Sequence, residues 1–198
     1  MATKDENSLH LQKCVNSILS QTFQDYDYFV IIDTKNDKNI QYLTSISNNN
    51  KNIKLLFNTG KPGVSSSRNY GILNSKSKYI GIVDSDDYYH DHKIEKQVNY
   101  LEKNEDISVI GTNIILVDDD NNIIGERLYP KTDRIIRKQF LYKMPIANTS
   151  ILFRRKDLSD TGLFDENLKK AEDLELWLRF LSRNKKLYNL QEKLVYYR

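Results

Sequence analysis

Two groups of carboxylates carry the first chemical signal. Asp33 follows the apolar run Tyr28-Phe29-Val30-Ile31-Ile32, and Asp84-Ser85-Asp86-Asp87 follows Tyr79-Ile80-Gly81-Ile82-Val83. Acids crowded at strand ends repel one another unless a cation sits among them. Oxygen ligands without His or Cys suit a hard ion, Mn²⁺ or Mg²⁺; a solvated acidic turn or a helix cap is the plainer alternative. Glu172 and Asp173 form a third group, at the start of an apolar-periodic stretch. There they either offset a helix dipole or present a general base. Other chemistries find little support. Gly60-Lys61-Pro62-Gly63 lacks the spacing of a phosphate loop, no Gly-x-Gly-x-x-Gly occurs, and His10, His90 and His92 form no His-Glu-x-x-His. His90 and His92 flank Asp91 and read as a solvated loop. The lone Cys14 excludes a disulfide or a cysteine zinc site within this chain and fits a reducing compartment.

The elements that must position these acids follow from hydrophobic spacing. Tyr28–Ile32 and Tyr79–Val83 are short, β-branched and aromatic, as strands buried on both faces are. Ile53–Phe57 reads as another strand. Leu11, Cys14, Val15, Ile18 and Leu19 predict a helix over Ser8–Leu19; Ile40, Leu43 and Ile46 predict a second. Ser65 can cap a helix running to about Asn74, and Ile94, Val98 and Leu101 mark a fourth. Strand and helix in alternation imply parallel βαβ units. After Asp106 the texture changes. Ile107–Val117 and Ile123-Ile124, joined by Asp118-Asp119-Asp120-Asn121-Asn122, predict an antiparallel hairpin. A helix around Asp133–Leu141, a strand over Thr149–Phe153 and an amphipathic helix with Leu174, Trp177, Leu178 and Leu181 follow. The expectation is one α/β domain with a mostly parallel central sheet, helices on both faces and a smaller antiparallel part. Ligands of open parallel sheets bind beyond the carboxyl ends of the strands, which is where Asp33 and Asp84 stand.

With 198 residues, 39% apolar and 29% charged, the chain is polar but long enough for a core. A net charge of +3 gives little support for nucleic-acid binding. No apolar run approaches the ~20 residues of a membrane span, and the first residues show no signal-peptide core.

Six segments, in order, resemble family 2 glycosyltransferases of the GT-A fold. Cys14–Phe23 (CVNSILSQTF) resembles the first-helix signature, and Tyr28–Asp37 (YFVIIDTKND) the strand and loop that hold the nucleobase. Gly63–Gly71 (GVSSSRNYG) resembles the Gly-x-x-x-Ala-Arg-Asn-x-Gly element, and Tyr79–Asp87 (YIGIVDSDD) the strand and metal-binding acids. Asn148–Arg155 (NTSILFRR) with Gly162–Glu166 resembles the acceptor-side strand and turn, and Ala171–Leu178 (AEDLELWL) the segment carrying the catalytic base. Ile32, Thr34 and Lys35 depart from the nucleobase loop, and Asn148 stands where a His is frequent.

The resemblance implies metal-dependent transfer of a sugar, with inversion, from a nucleotide-sugar (a UDP-sugar is expected) to a glycan, lipid-linked or protein acceptor. It places the nucleotide-sugar half at 1–105 and the acceptor half at 106–198. Asp173, with Glu172 beside it, would be the base. Asp86, with Asp84 or Asp87, would hold Mn²⁺ or Mg²⁺. Thr3, Asp33, Arg68, Asn69 and Asp84 would contact the donor. A cytoplasmic protein, peripheral to a membrane or self-associating, fits this reading. Two other classes stay open: an inactive nucleotide-sugar-binding module of the same fold, and a carboxylate-pair glycoside hydrolase, which needs neither metal nor nucleotide. Thr3 lines up with the end of the family's opening strand. The expectation is a chain cut from a longer one, in which the strands ending at Asp33 and Asp84 close on each other.

Overall fold

The computed structural model describes residues 1–3, 7–33 and 39–198. Thr34, Lys35 and Asp37 of the nucleobase-loop segment lie outside them. In chain order the elements are β1 (Ala2–Thr3), α1 (Ser8–Leu19), β2 (Tyr28–Ile32), α2 (Ile40–Asn49), β3 (Ile53–Phe57), α3 (Val64–Asn74), β4 (Tyr79–Gly81), β5 (Tyr88–Tyr89) and α4 (Lys93–Lys103). Then come β6 (Ile107–Val117), β7 (Ile123–Arg127), α5 (Asp133–Gln139), β8 (Leu152–Arg154), α6 (Leu158–Thr161), α7 (Glu172–Ser182) and β9 (Lys186–Tyr197).

The strands form two sheets. β1, β2 and β3 are parallel, in the order β1-β2-β3, with Thr3 opposite Ile32. The other sheet runs β4-β8-β6-β9-β5, with β7 paired to β6. Of its pairs only β6 with β9 is parallel. The antiparallel part is thus larger than the alternation of strand and helix implies, because β8 enters beside β4 and the Arg155 N–H donates to the Lys78 carbonyl at 3.0 Å. Strand β9 has no counterpart among the predicted elements.

Three apolar clusters hold the layers together. Leu11, Cys14, Val15 and Ile18 of α1 pack with Val30 and Ile32 of β2 and with Val83 and Val195. Trp177 and Phe180 of α7 meet Phe153 of β8 edge-on, with ring centroids 5.8 and 5.9 Å away. Leu101 of α4 joins Ile110 and Leu152 in the third.

Two local expectations are corrected. The first turn of α3 is not capped by Ser65. The helix starts at Val64 behind Gly63, whose φ of 144° suits glycine, and no side chain caps it. The strands ending near Asp33 and Asp84 do not close on each other. β1 pairs with β2, β4 pairs with β8, and a cavity of about 400 Å³ lies between the two sheets.

Candidate active site

Asp33 leaves β2 directly into a cage of donors. Its Oδ1 accepts from Asn58 Nδ2 at 2.9 Å and Ser67 Oγ at 2.8 Å, and its Oδ2 from the Gly63 N–H at 2.9 Å. The backbone continues the ladder, with Asp33 N–H donating to Thr3 O at 3.2 Å. Thr3 is buried, and Asp33 anchors both the turn after β3 and the first turn of α3. The sequence indicated the acid; Asn58 and Ser67, its partners, were not singled out.

Arg68, one turn into α3, joins the other two acid groups. Its Nη2 donates to Asp84 Oδ1 and its Nη1 to Glu172 Oε1, both at 2.9 Å. The side chain is only 9% exposed, and the guanidinium lies 5.5 Å from the Phe164 ring centroid. Such charge-assisted bonds away from water are strong and directional. Asp84 and the start of α7 therefore meet on one arginine, although 104 residues separate Arg68 from Glu172. Asn69 beside it forms a clasp: its Nδ2 donates to Phe164 O and Glu166 Oε1, both at 2.9 Å, and its Oδ1 accepts from the Phe164 N–H at 3.0 Å.

The acidic turn is fixed from two sides. The Asp84 N–H donates to Thr149 Oγ1 at 3.3 Å, and the Asp87 N–H closes the turn onto Asp84 O at 3.2 Å. From the end of β9, the Arg198 N–H donates to Asp87 Oδ1 at 2.9 Å and Arg198 Nε to Asp86 O at 3.2 Å. Arg198 also reaches the Asp118 carbonyl and Asn121 Oδ1 in the β6–β7 turn. Burial raises the Asp86 carboxyl, with Asp84 adding to the effect. It pushes Asp87 up to about 8, where the Arg198 N–H opposes the shift and Asp84 and Asp86 reinforce it. Asp87 Oδ2 is buried and makes no full hydrogen bond, although the Thr149 hydroxyl lies close enough to lower the carboxyl. Arg198 and Thr149 carried no sequence signal as site residues, because their roles arise only when β9 and the turn before β8 reach the acids.

At the start of α7, Ala171 adopts left-handed backbone, φ 58° and ψ 26°. A non-glycine residue there is strained, and such strain gathers at functional sites. Glu172, Asp173 and Glu175 fill the first turn. Asp173 Oδ1 accepts from the Leu174 N–H at 2.7 Å. Burial raises the Asp173 carboxyl and Glu172 reinforces this, while the Leu174 N–H opposes it. Close by in sequence to Thr149, both polar atoms of the Asn148 amide are buried and unbonded. An amide left so is either a cost to the fold or a waiting contact for a ligand.

The oxygen-only donor set of Asp84, Asp86 and Asp87 fits the chemistry of a hard divalent cation. Among the described residues no three acids, histidines or cysteines already form a metal cage.

The profile of "Glycosyl transferase family 2" matches residues 1–162. An uncharacterized glycosyltransferase of Methanocaldococcus jannaschii is 28% identical over 200 residues, covering 100% of this chain and 69% of that one. One from Haemophilus influenzae is 31% identical, covering 96% and 61%. The O-antigen biosynthesis glycosyltransferase WbnJ of Escherichia coli is 29% identical, covering 93% and 72%. Among solved structures, S. aureus TarS 1–349 in complex with UDP superposes with a TM-score of 0.78 at 19% identity, covering 98% of this chain and 58% of that one. TarS 1–349 with UDP-GlcNAc gives 0.76, also at 19%, covering 98% and 56%. At that identity the likeness concerns the fold alone.

Proposed function

The chain belongs to glycosyl transferase family 2 and has the GT-A fold, and on that premise we propose that it transfers a sugar from a nucleotide-sugar to an acceptor hydroxyl, with inversion at the anomeric carbon. The observation that carries this reading is Arg68, which ties Asp84, at the end of the donor-side strand, to Glu172, at the start of α7. Asp84 on the donor side and Glu172, the neighbour of the candidate base Asp173, thus share one buried cation. A UDP-sugar is the proposed donor, since the TarS neighbours hold UDP and UDP-GlcNAc.

Asp86 and Asp84, with Asp87 behind them, would hold Mn²⁺ or Mg²⁺, which when bound neutralises charge on the departing nucleoside diphosphate. Asp173 accepts the proton of the attacking hydroxyl at its carboxylate, and Glu172, engaged by Arg68, keeps the helix start in place. Asp33 retains acceptor capacity for a base N–H beyond its three internal donors. Asn148 offers an unspent amide to the donor or acceptor sugar.

The test is UDP binding by calorimetry with and without Mn²⁺. We expect binding to need the ion in the wild-type chain and to be lost in Asp86→Ala, with the melting temperature unchanged in metal-free buffer. Metal-independent binding in both proteins would remove the acids from the donor site. Binding of a nucleotide-sugar with no turnover on any acceptor would make the chain a binding module instead.

A further inference from the structure

Charge is unevenly spread along this chain. Residues 127–156 hold nine Lys and Arg and a single acid, Asp133, in a protein whose net charge is only +3. The remaining residues are therefore net acidic. Asp133 is already engaged: its Oδ2 accepts from Arg137 Nε at 2.6 Å and its Oδ1 from the Leu187 N–H at 3.0 Å. Within this basic stretch stands α5.

The inner side of α5 is fixed to the fold. Ile136 is fully buried, and Phe140 packs against the cluster of Trp177 and Phe180. Arg137 Nη1 and Nη2 donate to the Leu181 and Lys185 carbonyls at 2.9 and 2.7 Å, which ties α5 to the end of α7. One further turn continues the helix, with the Phe140 N–H on Ile136 O and the Lys143 N–H on Gln139 O.

The outer side faces water. Ile135 is 49% exposed, Leu141 83% and Tyr142 68%. Ile135, Lys138 and Tyr142 follow at i, i+3 and i+7, and Arg134, Lys138 and Leu141 at i, i+4 and i+7, so they share one helical face. Arg134, Lys138 and Lys143 are exposed, and the one acid of the stretch is held by Arg137 rather than by any of them.

A single exposed leucine is ordinary. Here three large apolar tips alternate with cations and have no acid between them. Such a face matches the headgroup layer of a membrane. Apolar tips enter the acyl boundary, a tyrosine rests at headgroup level, and lysine stems reach back to the phosphates. A soluble polyanion would satisfy the cations but leave Ile135 and Leu141 in water. We propose that the outer face of α5 and its last turn rests on an anionic lipid membrane. This contact stands apart from the donor chemistry, and its test needs no turnover.

The 198-residue chain is sedimented with phosphatidylcholine vesicles, with and without about 30% phosphatidylglycerol. Binding is expected only with the anionic lipid, and it weakens about tenfold or more when salt is raised to about 0.5 M. Leu141→Ser with Tyr142→Ser keeps every charge and weakens it about tenfold or more. Lys138→Gln with Lys143→Gln does the same. Both pairs lie on the surface, so the melting temperature and UDP binding of the vesicle-free protein stay at wild-type values. Failure to bind the anionic vesicles overturns the proposal. So does vesicle binding that survives both double variants, which moves the contact elsewhere on the molecule. Loss in the lysine pair alone, with dextran sulfate competing as tightly as the vesicles bind, would assign the face to a soluble polyanion instead.

Discussion

In the proposed reaction Asp173 is the base, and its surroundings set its pH response. Burial and the neighbouring Glu172 raise its carboxyl above the usual range. A base works only when deprotonated, so transfer falls as pH drops through that raised value, earlier than an exposed aspartate would allow. Asp173→Asn keeps shape and hydrogen bonding but accepts no proton. The expected outcome is a loss of about 10²–10⁴ in kcat/KM with an unchanged UDP affinity. A matching loss in UDP affinity would instead make Asp173 a structural start to α7. The acids themselves were legible because a carboxylate that ends an apolar run stands out. Their partners were not. Ser67, Thr149 and Arg198 are ordinary residues by type, and only the folding of α3, the turn before β8 and the end of β9 against the acids gives them a role.

At the scale of elements, agreement tracks the strength of the periodic signal. α1 and β6 occupy the expected Ser8–Leu19 and Ile107–Val117 because each is a long run of consistent period. β9 was missed because its alternation breaks at Gln191-Glu192-Lys193, where its register with β6 shifts. That pair packs closely at Gly111. A Cβ there would meet the Asn189 side chain and Ile146 Cγ1, the latter at 2.7 Å. Asn189 cannot swing away freely, since its Nδ2 donates to Pro130 O and Pro145 O at 2.7 and 3.0 Å. Gly111→Ala should therefore cost about 1–3 kcal/mol in urea unfolding, as overpacked cores do. A neutral result would mean that β6 and β9 separate without penalty. Lys93 opens α4 and gives a second test. It titrates at 10.5 in the unfolded chain and near 7 when folded. Between those values the unfolded chain binds more protons, so this residue's effect on stability improves as pH rises across that window and is worst below it. Lys93→Met should be more stable than wild type near pH 7, by on the order of a few kcal/mol, and the gap should narrow toward pH 10. Tyr89, raised by its own burial, opposes the trend but is common to both proteins. A gap that does not change with pH would show that Lys93 reaches water.

The molecule as a whole is held across its site by few residues. Arg68 and Asn69, adjacent on α3, carry the links to Glu172 on α7 and to the Phe164–Glu166 turn that precedes it. No compositional signal distinguished them from any other polar pair; the resemblance to a known motif singled them out, as donor contacts. In the structure the Asn69 amide is engaged within the chain. Its amide is spent on Phe164 and Glu166, and Phe164 is 3% exposed, so its backbone groups have no water to turn to. Asn69→Ala leaves that N–H and C=O unmet, at about 1–3 kcal/mol each. Chemical unfolding should therefore show a loss of about 2–6 kcal/mol. The acidic turn does not depend on this clasp, since Thr149 and Arg198 hold it. UDP affinity should accordingly stay within a few-fold of wild type while kcat falls, because α7 loses the tether that sets Asp173 against the donor. If UDP affinity collapses and kcat at saturating donor is retained, Asn69 serves the donor directly and the clasp is incidental. If stability and both kinetic quantities are unchanged, the turn is held by α6 and α7 alone, and the two parts of the site are less tightly joined than their hydrogen bonds imply.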